Sequence, residues 1–148
     1  MKTGAELIQE ERNRQIEVEG WKSERDDAYI NQELLHASKA YIESSIIYQR
    51  YRDGSRKLAD VIALCWPRNW SGDWFKPKDP ISDLVKSGAL IAAEIDRLQR
   101  IKEKMMKEAS CPECKSTKGH KLKCKTGNDR AKAYQGKLEK QYLKKGGA

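Results

Sequence analysis

The sequence lacks several patterns that would define the class of protein at once. No apolar run approaches the about 20 residues that a membrane helix needs, and the N-terminus has no basic segment followed by an apolar one. The chain also has no β-rich segment, no internal repeat, and no P-loop or dinucleotide-binding glycine motif. These absences predict a cytoplasmic protein without membrane contact, and they favour helices as its building material.

The hydrophobic content is low for the length of the chain. Hydrophobic residues make up 38% of the 148 residues and charged residues 35%. This composition predicts one modest core plus an appendage, in a soluble, helix-rich protein. Because the core is thin, we expect burial against another subunit, which makes a homo-oligomer (a dimer or higher) the predicted state.

The charge is unevenly placed along the chain. Residues 107–148 hold 12 of the 30 Lys and Arg residues but only 4 of the 22 Asp and Glu residues, so the net charge of +8 comes from this segment. The sequence therefore predicts a neutral body over 1–106 and a basic tail over 107–148. Nucleic-acid contact is a prediction for the tail alone, and docking to a protein partner fits the same charge pattern.

Apolar periodicity predicts four helices, over about 4–18, 31–51, 56–65 and 81–108. Asn31 is the predicted N-cap of the second helix, and 21–29 is predicted to be a polar loop. Three of the four Trp residues, the only Phe and three of the four Pro residues fall in 66–80, which predicts a loop that packs closely. The residues expected on the buried side of the last helix are Ile81, Leu84, Gly88, Ile91, Ile95 and Leu98.

Carboxylates are concentrated in the first third of the chain. Eight of them lie between Glu10 and Glu33, with no conspicuous catalytic Ser, Cys or His nearby. Carboxylate oxygens suit Mg²⁺ and Mn²⁺, and residues three or four apart share one helix face. The pattern predicts a site for divalent cations of the kind used in phosphate chemistry. Asp83 and Glu94 share a face of the last helix but lie about 16 Å apart, so one ion cannot use both.

Several motifs carry a resemblance to a known family. The segment ERNRQIEVEGW, the following Asp pair, and WP…W…KP leading into DLVKSGALIAAEIDRL resemble the phage dATP/dGTP diphosphohydrolases of the MazG-like, all-α nucleotide pyrophosphohydrolase superfamily, over roughly residues 5–100. The resemblance implies an oligomeric helical bundle that uses Mg²⁺ or Mn²⁺ to convert a purine dNTP into dNMP and pyrophosphate. If a phage encodes the chain, the compartment is the host cytoplasm.

Within this resemblance we assign candidate roles. Arg14 and Lys86 are candidates for phosphate oxygens, and Gln15 or Trp21 for base contact or packing. Glu11 and Glu33 are the candidate catalytic carboxylates, one of them acting as general base toward a water. Asp26 and Glu94 are reserve ligands. The four predicted Mg²⁺ or Mn²⁺ ligands are Glu11, Asp27, Glu33 and Asp83.

Plainer interpretations stand beside these roles. A charge-rich helix face is usually only solvated, and Arg14 has Glu10 and Glu17 at helical spacing. The Trp residues of 66–80 serve either as packing or as a base-stacking platform. The superfamily's ExxE and ExxD pair is absent, because His36 and Lys86 stand three residues after Glu33 and Asp83. An inactive helical binding protein that presents the basic tail to nucleic acid or a host protein is therefore the alternative function.

Three of the four Cys residues lie close together in the tail. Cys111, Cys114, His120 and Cys124 have C-x2-C-x5-H-x3-C spacing, which suits tetrahedral Zn²⁺. The spacing predicts a structural, zinc-knuckle-like appendage whose folding free energy comes from the metal. A Lys-rich tail with unpaired thiols is the alternative. Cys65, at an apolar helix end, is predicted to belong to the core.

Overall fold

Helices are the only regular secondary structure in the described part of the protein. The computed structural model describes residues 1–50 and 57–108, which contain five α-helices and one 3₁₀ turn and no strand. The predicted all-α class is thereby confirmed for these residues, and none of their helices is long and apolar enough to cross a membrane. The elements are α1 (Gly4–Glu17), α2 (Ser23–Asp27), α3 (Glu33–Arg50), α4 (Leu58–Cys65), a 3₁₀ turn (Gly72–Trp74) and α5 (Pro80–Glu108).

The chain divides into two units, Met1–Leu98 and Gln99–Ala148. The first unit contains every site described below. In the second unit the described residues are 99–108, the end of α5. The boundary predicted at residue 106 falls inside this helix.

Helix α1 begins and ends on local signals in the sequence. Thr3 and Glu6 form a capping box, in which each side chain accepts a hydrogen bond from the backbone N–H of the other residue. After α1 ends, Gly20 adopts φ +70°, a conformation that glycine tolerates without steric cost. This turn lets the Trp21 N–H donate to the Gln15 carbonyl (2.9 Å), which brings Trp21 back beside the helix.

The region predicted as a polar loop over 21–29 contains the short helix α2, so that prediction was wrong in part. The prediction failed because α2 has no apolar stripe, and its one buried residue is the charged Asp26. A search for apolar periodicity cannot detect a helix whose buried side chain is held by an ion pair. The four predicted helices are otherwise confirmed, with their described ends within two residues of the predicted positions.

Helices α3 and α5 meet through small and polar side chains. The hydroxyls of Ser38 and Ser87 lie 2.8 Å apart, and the Ser44 hydroxyl donates to Asp83 Oδ2 (2.7 Å). Four alanines of these two helices are fully buried: Ala37, Ala40, Ala89 and Ala93. Small side chains leave little apolar area to bury, which agrees with the thin core indicated by the composition.

The apolar stripe of α5 is not on the buried side, so this prediction was wrong. Ile81 is 66% exposed and Ile95 50%. Leu84, Ile91 and Leu98 are exposed as well. The buried face instead carries charged and small residues, because hydrogen bonds and ion pairs satisfy its polar atoms: Asp83, Ser87, Leu90, Ala93, Glu94 and Arg97.

Helix α1 packs closely against α5 at Gly88. A Cβ atom built on Gly88 would lie 2.5 Å from Ile8 Cδ1 and 2.7 Å from Ile8 Cγ1. Ile8 therefore occupies the space that any larger side chain at position 88 would need.

Aromatic side chains from α3 and 66–75 form the apolar core. The rings of Tyr41, Trp66 and Phe75 contact one another with centroids 5.1–6.1 Å apart. The Trp66 indole N–H donates to the Ser71 carbonyl (3.1 Å), which fixes the turn between them. Packing by 66–75 is thereby confirmed, and Cys65 is buried as predicted.

Candidate functional site

A cavity of about 590 Å³ opens beside α1, within the size range of small-molecule sites. Its wall combines three kinds of side chain that rarely share one depression. Six are aromatic: Trp21, Tyr29, Tyr41, Trp66, Trp70 and Trp74. Six are basic: Arg12, Arg14, Arg25, Lys76, Lys78 and Lys86. Three are acidic: Glu11, Glu19 and Asp26.

The aromatic wall is a connected set of rings. Trp70 contacts Tyr29 at 4.9 Å, Trp66 at 5.6 Å and Trp74 at 5.8 Å between ring centroids. The inner ring, Trp66, is buried, whereas Trp74 is 48% exposed. The wall thus runs from the core to the surface and offers flat faces along that path.

Arg25 links the aromatic wall to α2. Its guanidinium carbon lies 5.5 Å from the ring centroid of Trp21 and 5.8 Å from that of Trp74, within the range of cation–π attraction. Its Nε also donates to the Tyr29 hydroxyl (3.0 Å). Trp21 reaches this position because of the Gly20 turn.

Two carboxylates of the cavity wall share one arginine. Arg14 donates from Nε and Nη2 to Glu11 (both 2.8 Å), and its Nη1 lies 2.7 Å from Glu19 Oε1. The hydrogen bond from Arg14 lowers the pKa of Glu11, against an opposing effect of burial. Glu11 also accepts from Gln15 Nε2 (3.2 Å). These bonds keep Glu11 ionised at neutral pH.

A second arginine of α1 is paired in the interior. Arg12 donates to Asp26, and the two side chains are 7% and 2% exposed. This pair joins α1 to α2. Asp26, a reserve metal ligand in the sequence analysis, therefore has a cation as its neighbour.

Lys86 is the cation of α5 that lines the cavity. Its Nζ donates to the Lys76 carbonyl and lies 5.2 Å from the Tyr41 ring centroid. Burial lowers the pKa of the Lys86 ammonium, although Asp83 and Glu11 oppose this effect. A partly desolvated ammonium group beside Lys78 and Arg14 attracts anions.

The predicted metal ligands lie in separate surroundings. Of the four carboxylates, only Glu11 lines the large cavity. Asp83 is buried and accepts from Ser44 Oγ (2.7 Å) and the Lys78 N–H (2.9 Å), beside a second cavity of about 430 Å³. Asp27 is exposed, on the last turn of α2.

Glu33 is held by two asparagines. It accepts from the Asn31 N–H (2.8 Å), Asn31 Nδ2 (3.3 Å) and Asn69 Nδ2 (2.9 Å). Burial would raise the pKa of Glu33, but the hydrogen bond from its own backbone N–H and the bonds from the two asparagines outweigh burial and lower the pKa. Asn31 thus donates to Glu33 from both its backbone N–H and its side-chain amide. Helix α3 begins at Glu33, directly after Gln32, whose φ is +64°.

Glu94 pairs with Arg97 on α5, at 2.7 and 2.8 Å. The Glu94 hydrogen bonds raise the pKa of Arg97, with further contributions from the charges of Asp27 and Glu33. The charges of all three carboxylates thus act on one guanidinium. Within 1–50 and 57–108, no group of three His, Cys, Asp or Glu side chains is arranged to hold a metal ion. The predicted convergence of the four ligands is not found there, because hydrogen bonds hold Glu11, Glu33 and Asp83 in different places.

Two predicted substrate contacts, Arg14 and Lys86, line the large cavity, as do Gln15 and Trp21. Sequence reasoning missed Glu19, Arg25 and Lys78. Gly20 could have pointed to Glu19. A turn at Gly20, just after α1, brings the residues on either side of the glycine back beside the helix. His36 is exposed.

The predicted zinc ligands Cys111, Cys114, His120 and Cys124 lie outside the described residues. Comparison of the chain with protein-family models, with curated proteins and with solved structures found no match. The resemblance to the MazG-like pyrophosphohydrolases thus rests on the motifs quoted above.

Proposed function

We propose that this chain is a dNTP diphosphohydrolase that converts a purine dNTP into dNMP and pyrophosphate with Mg²⁺ or Mn²⁺. The observation that supports the proposal is the cavity of about 590 Å³, whose wall places aromatic rings and cations together. A nucleotide has the matching parts, because its base is flat and aromatic and its triphosphate is anionic. The MazG-like motifs of the sequence point to the same substrate.

Each end of the substrate has a chemically suitable wall. The base stacks against the exposed ring of Trp74, since aromatic stacking tolerates any base. The phosphates contact Arg14, Lys78 and Lys86, on a cavity wall that carries six cations against three carboxylates. This assignment keeps the roles that the sequence analysis gave to Arg14 and Lys86.

The metal requirement fits the cavity in a different form from the predicted one. Mg²⁺ in nucleotide enzymes is usually held by one or two carboxylates plus substrate phosphates. Glu11 and Glu19 are the two carboxylates that we assign to the ion, since both lie against the guanidinium of Arg14. When bound, the ion neutralises phosphate charge and acidifies water.

The protein's own residues position the substrate and accept a proton from the attacking water. A water attacks the α-phosphorus, and the bond from that phosphorus to the bridging oxygen breaks, so that pyrophosphate leaves. Glu11, kept ionised by Arg14, accepts the proton of the water as general base. Lys86 and Lys78 stabilise the charge that develops on the departing pyrophosphate.

The test is turnover of each dNTP with Mn²⁺, followed as dNMP and pyrophosphate. We expect Glu11→Gln to lower turnover of a purine dNTP at least about a hundredfold, the lower range for general-base catalysis. Glu10→Gln is the matched control, because Glu10 is exposed on the same helix and pairs with Lys2 (2.7 Å). Absence of turnover with every dNTP, or full activity in Glu11→Gln, contradicts the proposal.

The alternative function, an inactive protein that presents its basic tail to nucleic acid, is favoured by one observation. The carboxylates Glu33 and Glu94 are tied to asparagines and to Arg97 instead of facing the cavity together. Duplex DNA that shifts on a gel, in a protein that cleaves no nucleotide, would support the alternative. Salt sensitivity of that shift would identify the tail's cations as the contact.

We also propose that the protein forms a homo-oligomer through α5. The exposed residues Leu84, Ile91 and Leu98 are seven apart, and Ile81 and Ile95 are fourteen apart, or two heptads, which is the spacing that lets two helices interdigitate. Sedimentation of the wild type against Ile91→Asp tests this. A monomeric wild type, or an unchanged oligomer in the variant, contradicts it.

A further inference from the structure

Three buried polar atoms of the large cavity's wall have no hydrogen-bond partner: Gln15 Oε1, Trp70 Nε1 and Arg12 Nε. Among the described residues, these three are the buried side-chain nitrogen and oxygen atoms that lack a hydrogen-bond partner. All three residues line this one cavity. Gln15 is 3% exposed and Arg12 6%. Their coincidence at one cavity calls for an explanation, because buried polar groups in proteins are nearly always paired.

The rest of each side chain is held in place. Gln15 Nε2 donates to Glu11 (3.2 Å), so the amide oxygen is the free end. Arg12 donates through Nη2 to Asp26, and Trp70 is packed among Tyr29, Trp66 and Trp74. The unpaired atoms are therefore carried by side chains whose other parts are anchored.

The three atoms offer a defined chemical pattern. Gln15 Oε1 accepts hydrogen bonds, whereas the Trp70 and Arg12 N–H groups donate them. A nucleobase edge carries the complement, because an exocyclic amino group donates while ring nitrogens and carbonyl oxygens accept. The phosphates and the sugar hydroxyl offer no such pairing of donors and acceptors on a flat group.

We infer that the cavity reads the edge of a base that carries an exocyclic amino group, with Gln15 as the specificity-determining residue. This inference rests on the proposed function and adds the chemical basis of base selection. The amino group donates to Gln15 Oε1, and Trp70 Nε1 donates to an acceptor on the ring. Arg12 Nε supplies a second donor along the same edge.

Leaving these buried atoms unpaired costs free energy, and binding of a base with the complementary edge removes that cost. All three atoms are closed to water. Entry of the base therefore requires the cavity wall to open at these atoms. The Gln15 amide gives up its bond to Glu11 (3.2 Å), which turns Oε1 toward the amino group, and the side chains around Trp70 and Arg12 move apart to admit the base edge. A base without that group would leave the oxygen unpaired, which is the mechanism by which polar sites reject close analogues.

The experiment measures binding without turnover. Two pairs of α,β-imido deoxynucleoside triphosphates, adenine against unsubstituted purine and guanine against hypoxanthine, differ only by an amino group. Calorimetry gives the dissociation constant of each for the full-length protein. We expect the amino-bearing member of at least one pair to bind at least about fivefold more tightly.

Two variants locate the effect. Gln15→Met retains the length of the side chain but removes the acceptor, so we expect the preference within that pair to fall below twofold. Trp70→Phe retains an aromatic ring and removes the N–H, so it should weaken both members while leaving the preference in place. The melting temperature of each variant shows whether it has folded.

The outcomes separate the two proposals. Equal binding of both members in both pairs overturns base-edge reading, whereas the proposed function stands if dNTPs are still hydrolysed. No binding of any of the four nucleotides overturns both. A preference that persists unchanged in folded Gln15→Met assigns selection elsewhere and overturns the role of Gln15. Should Gln15→Met fail to fold, the wild-type pairs alone decide whether the edge is read.

Discussion

Two arginines of α1, only two residues apart, serve different regions of the molecule. Arg12 lies in the interior, 7% exposed, and pairs with the equally buried Asp26. Arg14 lies on the cavity wall, 44% exposed, and is shared between Glu11 and Glu19. Residues two apart on a helix point about 200° away from each other, so one of them enters the core while the other remains accessible.

The comparison shows that an ion pair's role follows from its surroundings. A buried pair cannot exchange its partner for water, so it holds helices together and resists change. In a pair on the cavity wall, an incoming anion can take the place of one carboxylate beside the arginine. The cost is small, because water and a second carboxylate remain available. A structural charge and a charge to which we assign a function are thus separated within one turn of α1.

Breaking the buried pair has the largest expected effect. Asp26→Ala leaves the Arg12 guanidinium buried without its carboxylate, and we expect the free energy of unfolding to fall by about 3–5 kcal/mol. Urea denaturation measures this. Glu24→Ala is the control, since Glu24 is exposed on the same short helix and should change stability by less than about 0.5 kcal/mol. A loss below about 1 kcal/mol in Asp26→Ala would contradict the structural role of the pair.

Removing the cation from the cavity wall should instead affect binding. Arg14→Met is expected to change the free energy of unfolding by less than about 1 kcal/mol, yet to weaken pyrophosphate binding about tenfold through loss of a charge-assisted hydrogen bond. Calorimetry with pyrophosphate gives the affinity. Lys2→Met, which breaks the exposed pair with Glu10, should leave that affinity unchanged. Equal affinities in wild type and Arg14→Met would remove Arg14 from the anion site.

The lowered pKa of Lys86 predicts a pH dependence of anion binding. Since burial lowers this pKa below the usual 10.5, the ammonium loses its proton earlier on titration with base, and the affinity for anions falls as the pH rises through the lowered value. Sulfate is the suitable probe, because its own charge is constant there. We expect about a fivefold decline in wild type and none in Lys86→Arg, which stays charged. The same decline in Lys86→Arg would assign it to another group.

The smallest expected effect concerns Glu11 and acid. Its folded pKa is lowered, so its ion pair stabilises the fold above the unfolded pKa, and this contribution is lost as the pH falls through the folded pKa. Because the partner Arg14 is half-exposed, we expect less than about 1 kcal/mol. Denaturation at several pH values from neutral into acid should show a steeper loss in wild type than in Glu11→Gln. Identical slopes would mean that the pair does not stabilise the fold.

Helix positions could be predicted from the sequence because caps and periodic apolar residues act locally. Thr3 and Glu6 lie three residues apart and begin α1 wherever the helix packs. The face that each helix buries could not be predicted in the same way. Ile81 and Ile95 are apolar and exposed, whereas Asp83 and Arg97 are charged and buried, since their partners come from other turns or helices.

In the candidate site, too, local features could be predicted from the sequence and contacts between distant residues could not. Arg14, Gln15 and Trp21 were predicted as candidate contacts and do line the cavity together, because they belong to one motif on α1 and the turn after it. The hydrogen-bond partners of the carboxylates could not be predicted from the sequence. Glu33 finds Asn69, 36 residues away, and Asp83 finds Ser44, 39 residues away, and no local pattern predicts such bonds.

The sequence by itself determined the all-α class, the start of α1, the turn at Gly20 and the packing of the Trp-rich segment, because hydrogen bonds and contacts between near neighbours decide each of these. Only the tertiary structure decided which charges are buried and paired, and which rings and cations surround one cavity. Those outcomes depend on contacts between distant residues, where burial raises the cost of any polar atom left without a partner.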